Sequence, residues 1–319
     1  MTLAIPDAPR LLIEADLAPL QGSRLQPTGF PDIGASTYKT PDGTEMLVVE
    51  SAQSVANRLE SVCWDETQND LVELLSGMPY VRVKRDGRIL TSSIQEAHRL
   101  NSVYIEKSDG FARIKEEIGD AEPPDRRRLA RALLKLDPNS LVHGTFLESI
   151  SGSMRLARAL SGFIEARDVQ VVASGGVKND RVSAGTDGDS DATAKEGFGN
   201  VPFHRDEYTA RSVTAFFSID LAQIRAYGLG ADADRFLVAL SLWKVRRFLE
   251  TGLRLRTACD LDLRALRVTR PEGWTFPERS ELEAEIQASI KKLTSAEAFG
   301  RPPIMEVIFD AKPGKKRTK

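Results

Sequence analysis

DVQVVASGGVKNDRVSAGTDGDSDATAKEGFGNVPFHRDEYTARSVTAFFSI, residues 168–219, is the stretch on which the fold turns. It opens with Asp168–Ala173, a short apolar run that reads as a buried strand. It closes with Tyr208–Ile219, rich in β-branched and aromatic residues, a second strand. Between them, residues 174–203 are mostly Gly, Ser, Asp and Thr, with few large apolar side chains. A loop of that length is uncommon inside a compact domain and is usually functional.

Upstream of this pair, residues 10–20 read as a strand ending at Pro19, and residues 21–45 as a long loop with turn signals at Pro27, Gly29, Pro31 and Asp42-Gly43. A short strand, Met46–Val49, runs into a helix in which Val55, Leu59 and Val62 recur at helical spacing behind Ser51 as N-cap. Tyr80–Lys84 and Arg88–Leu90 flank Asp86-Gly87 and predict a hairpin. Helical segments are expected near 94–100, 125–136, 139–150 and 153–162, so the region from residue 64 to about 160 reads as a mostly helical insertion. Downstream come a helix over 231–250, with Leu237, Leu240, Val245, Phe248 and Leu249 as its core face, and an alternating strand, Asp260–Val268. A helix over 278–293, a last strand, Ile304–Phe309, and a disordered basic tail, KPGKKRTK, complete the chain. Without its insertions the order is β-α-β-β-α-β, an α+β, ferredoxin-like arrangement also used by RNA-recognition domains.

Composition narrows the function classes. At 319 residues, with 41% hydrophobic and 28% charged, the chain has material for a sizeable core and about two domains, or one domain with large insertions. No apolar run reaches the roughly 18 residues of a membrane helix, and MTLAIPDAPR lacks the pattern of a signal peptide. Two cysteines, Cys63 and Cys259, fit a reducing cytoplasm. Together with His98, His143 and His204 they lack zinc-ligand spacing, so neither metal nor cofactor is expected. Formal net charge is −2, and any nucleic-acid partner would need a local basic surface. Residues 241–270 carry eight basic and three acidic side chains. They read either as a solvated face or as such a surface.

Motifs for nucleotide chemistry are missing: there is no GxxxxGK[ST], and no GxGxxG opens a helix after a strand. Asp187, Asp189 and Asp191 mimic the start of a calcium loop, but Ala192 and Phe198 stand where Gly and Glu are required. Three polar clusters remain. In Gly22–Pro31, Arg24 can pair with phosphate, while Gln26 and Thr28 can hydrogen-bond to phosphate, sugar or base. On the helix after Ser51, Gln53 and Asn57 share one face and Arg58 the next; amides and arginine suit oriented bonds to a polyanion. The third cluster is His204–Arg211, at the exit of the long loop. Each cluster has an ordinary structural reading beside the functional one.

QGSRLQPTGFPDIG (21–34), LVVESAQSVANRLE (47–60), SGGVKND (174–180) and HRDEYTAR (204–211) resemble, in order and spacing, the backbone subunit of type I-G (formerly I-U) CRISPR effector complexes. That subunit belongs to the RAMP superfamily, in the group named Cas with the number seven. The resemblance covers about Leu11 to Val268. It implies an RNA-recognition-like palm (1–63, 166–173 and 208–310), helical fingers (64–165), a long thumb hairpin (174–207) and a tail (311–319). It also implies a non-catalytic protein that polymerises along the guide RNA (crRNA) and presents it to target DNA. The partners would be further copies of itself and other effector subunits, with no membrane. Arg24, Arg58, Lys178, Arg205 and Arg211 would then contact phosphates, and Gln26, Gln53, Asn57 and His204 sugar or base. Residues 174–207 hold four basic and seven acidic side chains, an awkward balance for counterion release. The thumb tip is accordingly expected to face protein. The alternative is an endoribonuclease of the same superfamily that processes CRISPR precursor RNA, with His204 as general acid beside Tyr208 or Lys178.

Overall fold

Leu11, Ile13, Ala15 and Leu17 are buried and alternate with half-buried Leu12, Glu14 and Asp16, so strand β1 (Arg10–Pro19) turns one apolar face to the core. The protein, seen in a computed structural model, is described over residues 3–30, 32–119, 125–150, 154–178, 201–251 and 253–310. After β1 come the small pair β2 (Gly29–Phe30) and β3 (Gly34–Ala35), then β4 (Thr37–Lys39) and β5 (Glu45–Glu50). Ser51 caps helix α1 (Ala52–Ser61) by accepting from the Ser54 amide, and the helix buries Val55, Ala56 and Leu59.

The next stretch holds β6 (Trp64–Asp65), β7 (Asp70–Leu71), β8 (Tyr80–Arg85), β9 (Arg88–Ser92) and the helices α2 (Val103–Glu106), α3 (Phe111–Ile118), α4 (Arg126–Leu136) and α5 (Asn139–His143). Strands β10 (Thr145–Leu147) and β11 (Met154–Leu156) lead to the long pair β12 (Leu160–Lys178) and β13 (Val201–Asp220). Then follow α6 (Leu221–Ala226), α7 (Ala231–Glu250), β14 (Leu253–Arg256), β15 (Cys259–Arg270), α8 (Arg279–Ser295) and β16 (Ile304–Ile308).

The main sheet is mixed with helices in an α+β architecture. Its seven strands run in the order β14-β15-β1-β13-β12-β5-β4, every neighbouring pair antiparallel. Helices α1 and α7 pack on its apolar face, and α8 packs on α7. The opposite face carries Glu14, Asp16 and a stacked pair, Phe163 and Phe216, with ring centroids 5.1 Å apart. The core is continuous from β1 through residues 64–150 to α8. β16 adds in parallel to the β8–β9 hairpin, so the end of the chain is stitched into the insertion.

Several expectations are corrected. The segment from 64 onward holds strands β6–β11 as well as helices. The helix expected over 139–150 stops at His143, because Gly144 takes a φ of 78° and sends the chain into β10. The helix expected over 153–162 is β11 and the start of β12, where Leu160, Gly162, Ile164 and Ala166 alternate at period two. Near 94–100 there are turns and a single 3₁₀ turn at Arg99–Asn101. The strand expected at Asp168–Ala173 runs from Leu160 to Lys178 and continues well into the Gly-rich segment. Tip residues 179–200, with Arg181, Asp187, Asp189 and Asp191, lie outside the described residues, as does the tail from 311.

Candidate nucleic-acid interface

The Gly- and Pro-rich segment after β1 is anchored by its main chain. Leu25 forms a two-way antiparallel bridge with Tyr208 at 2.8 and 2.9 Å, the Gln26 amide donates to the Ala258 carbonyl at 2.8 Å, and the Thr28 amide to Val49 at 3.2 Å. Two strands, β13 and β5, and the turn between β14 and β15 therefore hold Leu25–Thr28, and the buried Leu25 side chain pins the centre. This brings Arg24 to the base of the β12–β13 arms. Arg24 Nη1 stands 2.9 Å from Glu207 Oε2 and donates to Ser174 Oγ at 3.4 Å. Arg205, the register partner of Ser174, donates to Glu207 Oε1. Glu207 is buried between the two guanidinium groups, while the Arg24 side chain stays 57% exposed. A buried carboxylate persists only when paired, and two arginines supply that pairing.

A second fork sits at the end of β5. Glu50 is fully buried, and its Oε1 accepts from Arg58 at 3.1 Å and from Arg256. Arg58 Nη2 also donates to the Leu255 carbonyl at 2.5 Å, and Arg256 Nη1 to the Gln26 carbonyl at 3.1 Å. The main chain of Gln26 thus links the two forks. Each fork, two cations on one anion, keeps one net positive charge.

The structure brings Arg24 and Arg205 together, and ties Gln26 to them through its backbone. It draws Arg58 inward, onto Glu50, where its guanidinium is committed within the chain. Gln53 donates to Asn57 Oδ1 at 2.8 Å and accepts from Arg158, so both amides face the α1 surface. Arg211 is exposed and 3.8 Å from Asp168, whose φ of 59° interrupts the pleat where the arms leave the sheet. His204 is exposed, 3.8 Å from Asp206. Lys178 stands at the outer end of the described arm, paired in register with Val201.

His204, Tyr208 and Lys178 do not converge. His204 pairs with Gly175 and Lys178 with Val201, which puts their side chains on opposite faces of the ribbon. Tyr208 is buried, and burial together with Asp206 pushes its hydroxyl pKa up.

Sequence reasoning missed Glu50, Glu207 and Arg256. A carboxylate in a strand ordinarily reads as solvated, and one partner of each, Arg24 for Glu207 and Arg256 for Glu50, lies far away in the chain. The one signal was the Leu-Arg-Leu-Arg alternation of 253–256, which sets Arg256 beside a buried Leu255. Part of the basic stretch 241–270 is turned inward or paired, while Arg254 and Arg264 stay exposed beside Asp260 and Asp262. Lys244 is fully buried on Asn139 and His143, Arg246 bonds Glu250 and the Pro277 carbonyl, and Arg267 joins Glu14 and Asp16. Among the described residues, no group of three or more His, Cys, Asp or Glu could hold a metal ion, and no helix is long and apolar enough to cross a membrane.

Residues 11–171 match the family described as CRISPR-associated protein GSU0053. Among solved structures, the chain is similar to one from a "CRISPR RNA-guided surveillance complex, pre-nicking", at 14% identity and a TM-score of 0.43, covering 90% of this chain and 89% of that one. It is also similar to Csc2 of Thermofilum pendens, at 12% identity and a TM-score of 0.33, covering 92% and 81%. No curated protein sequence matches it.

Proposed function

The chain belongs to the CRISPR-associated protein GSU0053 family, and from that premise we propose that it is a non-catalytic backbone subunit of a type I effector complex. It coats guide RNA and presents it for pairing with target DNA. The carrying observation is the cluster of Arg24, Ser174 and Arg205 on Glu207 at the base of the β12–β13 arms. Arg24 is carried by a main chain that is itself bonded to β13, β5 and the β14–β15 turn, and Arg205 by β13. Such a cluster binds phosphate without reading sequence, which base pairing then supplies.

In this reading β15, β1, β13 and β12, in that spatial order, with α1 and α7, are the RNA-recognition-like palm. Residues 64–165 are the fingers and the arms beyond Asp168 lead into the thumb. Arg24 and Arg205 are the first phosphate contacts, with Lys178 further out along the arms and Arg211 nearer the sheet, beside Asp168. Gln53, Asn57 and His204 are secondary contacts. Arg58 acts from behind, through Glu50. The protein works in the cytoplasm, without metal or cofactor, against further copies of itself and other effector subunits. The open disposition of His204, Tyr208 and Lys178 gives the endoribonuclease reading no site.

The test is co-expression of the full chain with a repeat-spacer RNA and its processing nuclease, followed by sizing and RNA extraction. A large assembly holding one RNA of uniform length is expected. A monomer that carries no RNA overturns the proposal, and discrete cleavage of repeat RNA by the pure chain would favour the nuclease.

A further inference from the structure

We propose that Glu207, an acid inside a cluster meant for a polyanion, is a positioning residue that aims Arg24 and Arg205 at one phosphodiester; this rests on the RNA-binding reading above. Simple charge counting makes Glu207 a defect, since it lowers the positive potential that attracts a strand. The geometry says otherwise. Its two oxygens are divided, Oε2 to Arg24 at 2.9 Å and Oε1 to Arg205, and it is buried between them.

Without that carboxylate, the guanidinium groups of Arg24, on the segment after β1, and Arg205, on β13, would repel each other and swing apart. With it, each gives one edge to Glu207, and the pair stands on one patch beside the Ser174 hydroxyl. A guanidinium has five N–H donors in a rigid fork, so one edge spent on an acid leaves donors for a phosphate. Arg24 and Arg205 are 57% and 31% exposed at their side chains, which leaves the patch open to a ligand. The ordering cost that a long, flexible arginine carries on binding is met before the strand arrives.

The arrangement also accounts for part of the acidic excess between 174 and 207. Of its two described acids, Asp206 lies near His204 and Glu207 serves the fork. Neither needs to oppose a phosphate.

The experiment measures binding of the full chain to a labelled repeat-spacer RNA transcript over a sodium chloride series. The proteins are wild type, E207Q, R24A, the R24A/E207Q double variant and D206N as an exposed acidic control. E207Q is expected to bind on the order of tenfold more weakly although it is one charge more positive, with a shallower salt slope. D206N binds as wild type or slightly tighter. In the R24A background E207Q costs much less than it does alone, a coupling that a general folding defect would not produce.

Should E207Q fail to fold, R205K answers the same question, because it keeps the charge and loses the fork; weaker binding supports positioning. Binding by E207Q or R205K equal to or tighter than wild type, or additive losses in the double variant, overturns the proposal while leaving RNA binding itself intact. No binding by the wild type overturns the RNA reading and the proposal with it.

Discussion

Lys244 Nζ lies 2.9 Å from His143 Nε2, and both side chains are buried. Lys244 also donates to Asn139 Oδ1, and Asn139 reaches Glu60 Oε1 at 3.4 Å. Glu60 in turn accepts from Arg99 at 2.6 and 2.7 Å. This chain of bonds ties α7 and α5 to α1, the helix that carries Arg58. Because the ammonium donates, Nε2 must accept and His143 must carry its proton on Nδ1. A second proton on the ring would set two cations in contact.

Stability should therefore respond to pH in two opposing ways. Burial, with Lys244 and Arg99 nearby, holds the His143 pKa well below its ordinary 6.5. Below 6.5 the unfolded chain takes a proton that the folded chain refuses, so stability falls as pH falls. Burial raises Asp137 from 3.8 to about 6, and here the folded chain takes the proton first. Stability then rises as pH falls from about 6 towards 3.8. Each group contributes a slope of at most about 1.4 kcal/mol per pH unit. Urea unfolding from pH 7 to 4.5 should show Asp137→Asn losing stability steadily and His143→Gln gaining it, with wild type between. Parallel curves for the two variants would contradict the burial account.

Replacing Arg58 should act on the fold more than on RNA. Arg58→Ala removes one of the two cations on a fully buried carboxylate and a bond to the Leu255 carbonyl. A loss of about 2–3 kcal/mol is expected, somewhat below that of a wholly orphaned buried charge because Arg256 remains. Arg58→Lys should lose less. Urea midpoints measure both, and a change under about 0.5 kcal/mol, the range of ordinary surface substitutions, would place Arg58 outside the fork. At temperatures where the variant is folded, RNA affinity should fall less than in Arg24→Ala.

Gln26 offers a sharper separation of side chain from backbone. Its amide donates to Ala258 and its carbonyl accepts from Arg256, and neither bond needs the side chain. Gln26→Ala should change stability by no more than about 0.5 kcal/mol. Gln26→Pro removes the donor and should cost about 1–3 kcal/mol. RNA binding measured on both tells whether the Gln26 amide touches the strand: a loss confined to the proline variant assigns the whole effect to the clasp.

The contrast between these residues shows what the sequence made legible. Helix α7 is read to its bounds, Ala231–Glu250, but not to its burial: Phe236–Val245 are buried without a break, wider than the face of Leu237, Leu240, Val245, Phe248 and Leu249. The strands around Leu11 and Val213 are read because alternation survives in them. The extent of β12 is not, since it contains Gly162, Asp168, Gly175 and Gly176, and glycines carry no period. The site was half visible. Arg24, Arg205 and Arg58 stand out as cations in polar clusters, but Glu207 and Glu50 acquire meaning only from partners such as Arg24 and Arg256, which the sheet brings from far along the chain. Lys244 illustrates the same limit: within a basic stretch it reads as solvated, and only the packing of α5 against α7 reveals it as buried.

The acidic residues of the hairpin tip give the last prediction. Asp187, Asp189 and Asp191 lie beyond the described arms, and the acids nearest the site, Asp206 and Glu207, both have partners in this chain. If the tip faces protein, neutralising all three to Asn should leave the RNA affinity of a single subunit within about twofold, since no phosphate contact is made or relieved there. The same change should alter how many copies assemble on one RNA, read as the mass of the co-expressed complex. A large gain in single-subunit affinity, with a steeper salt slope, would instead put the tip against phosphate.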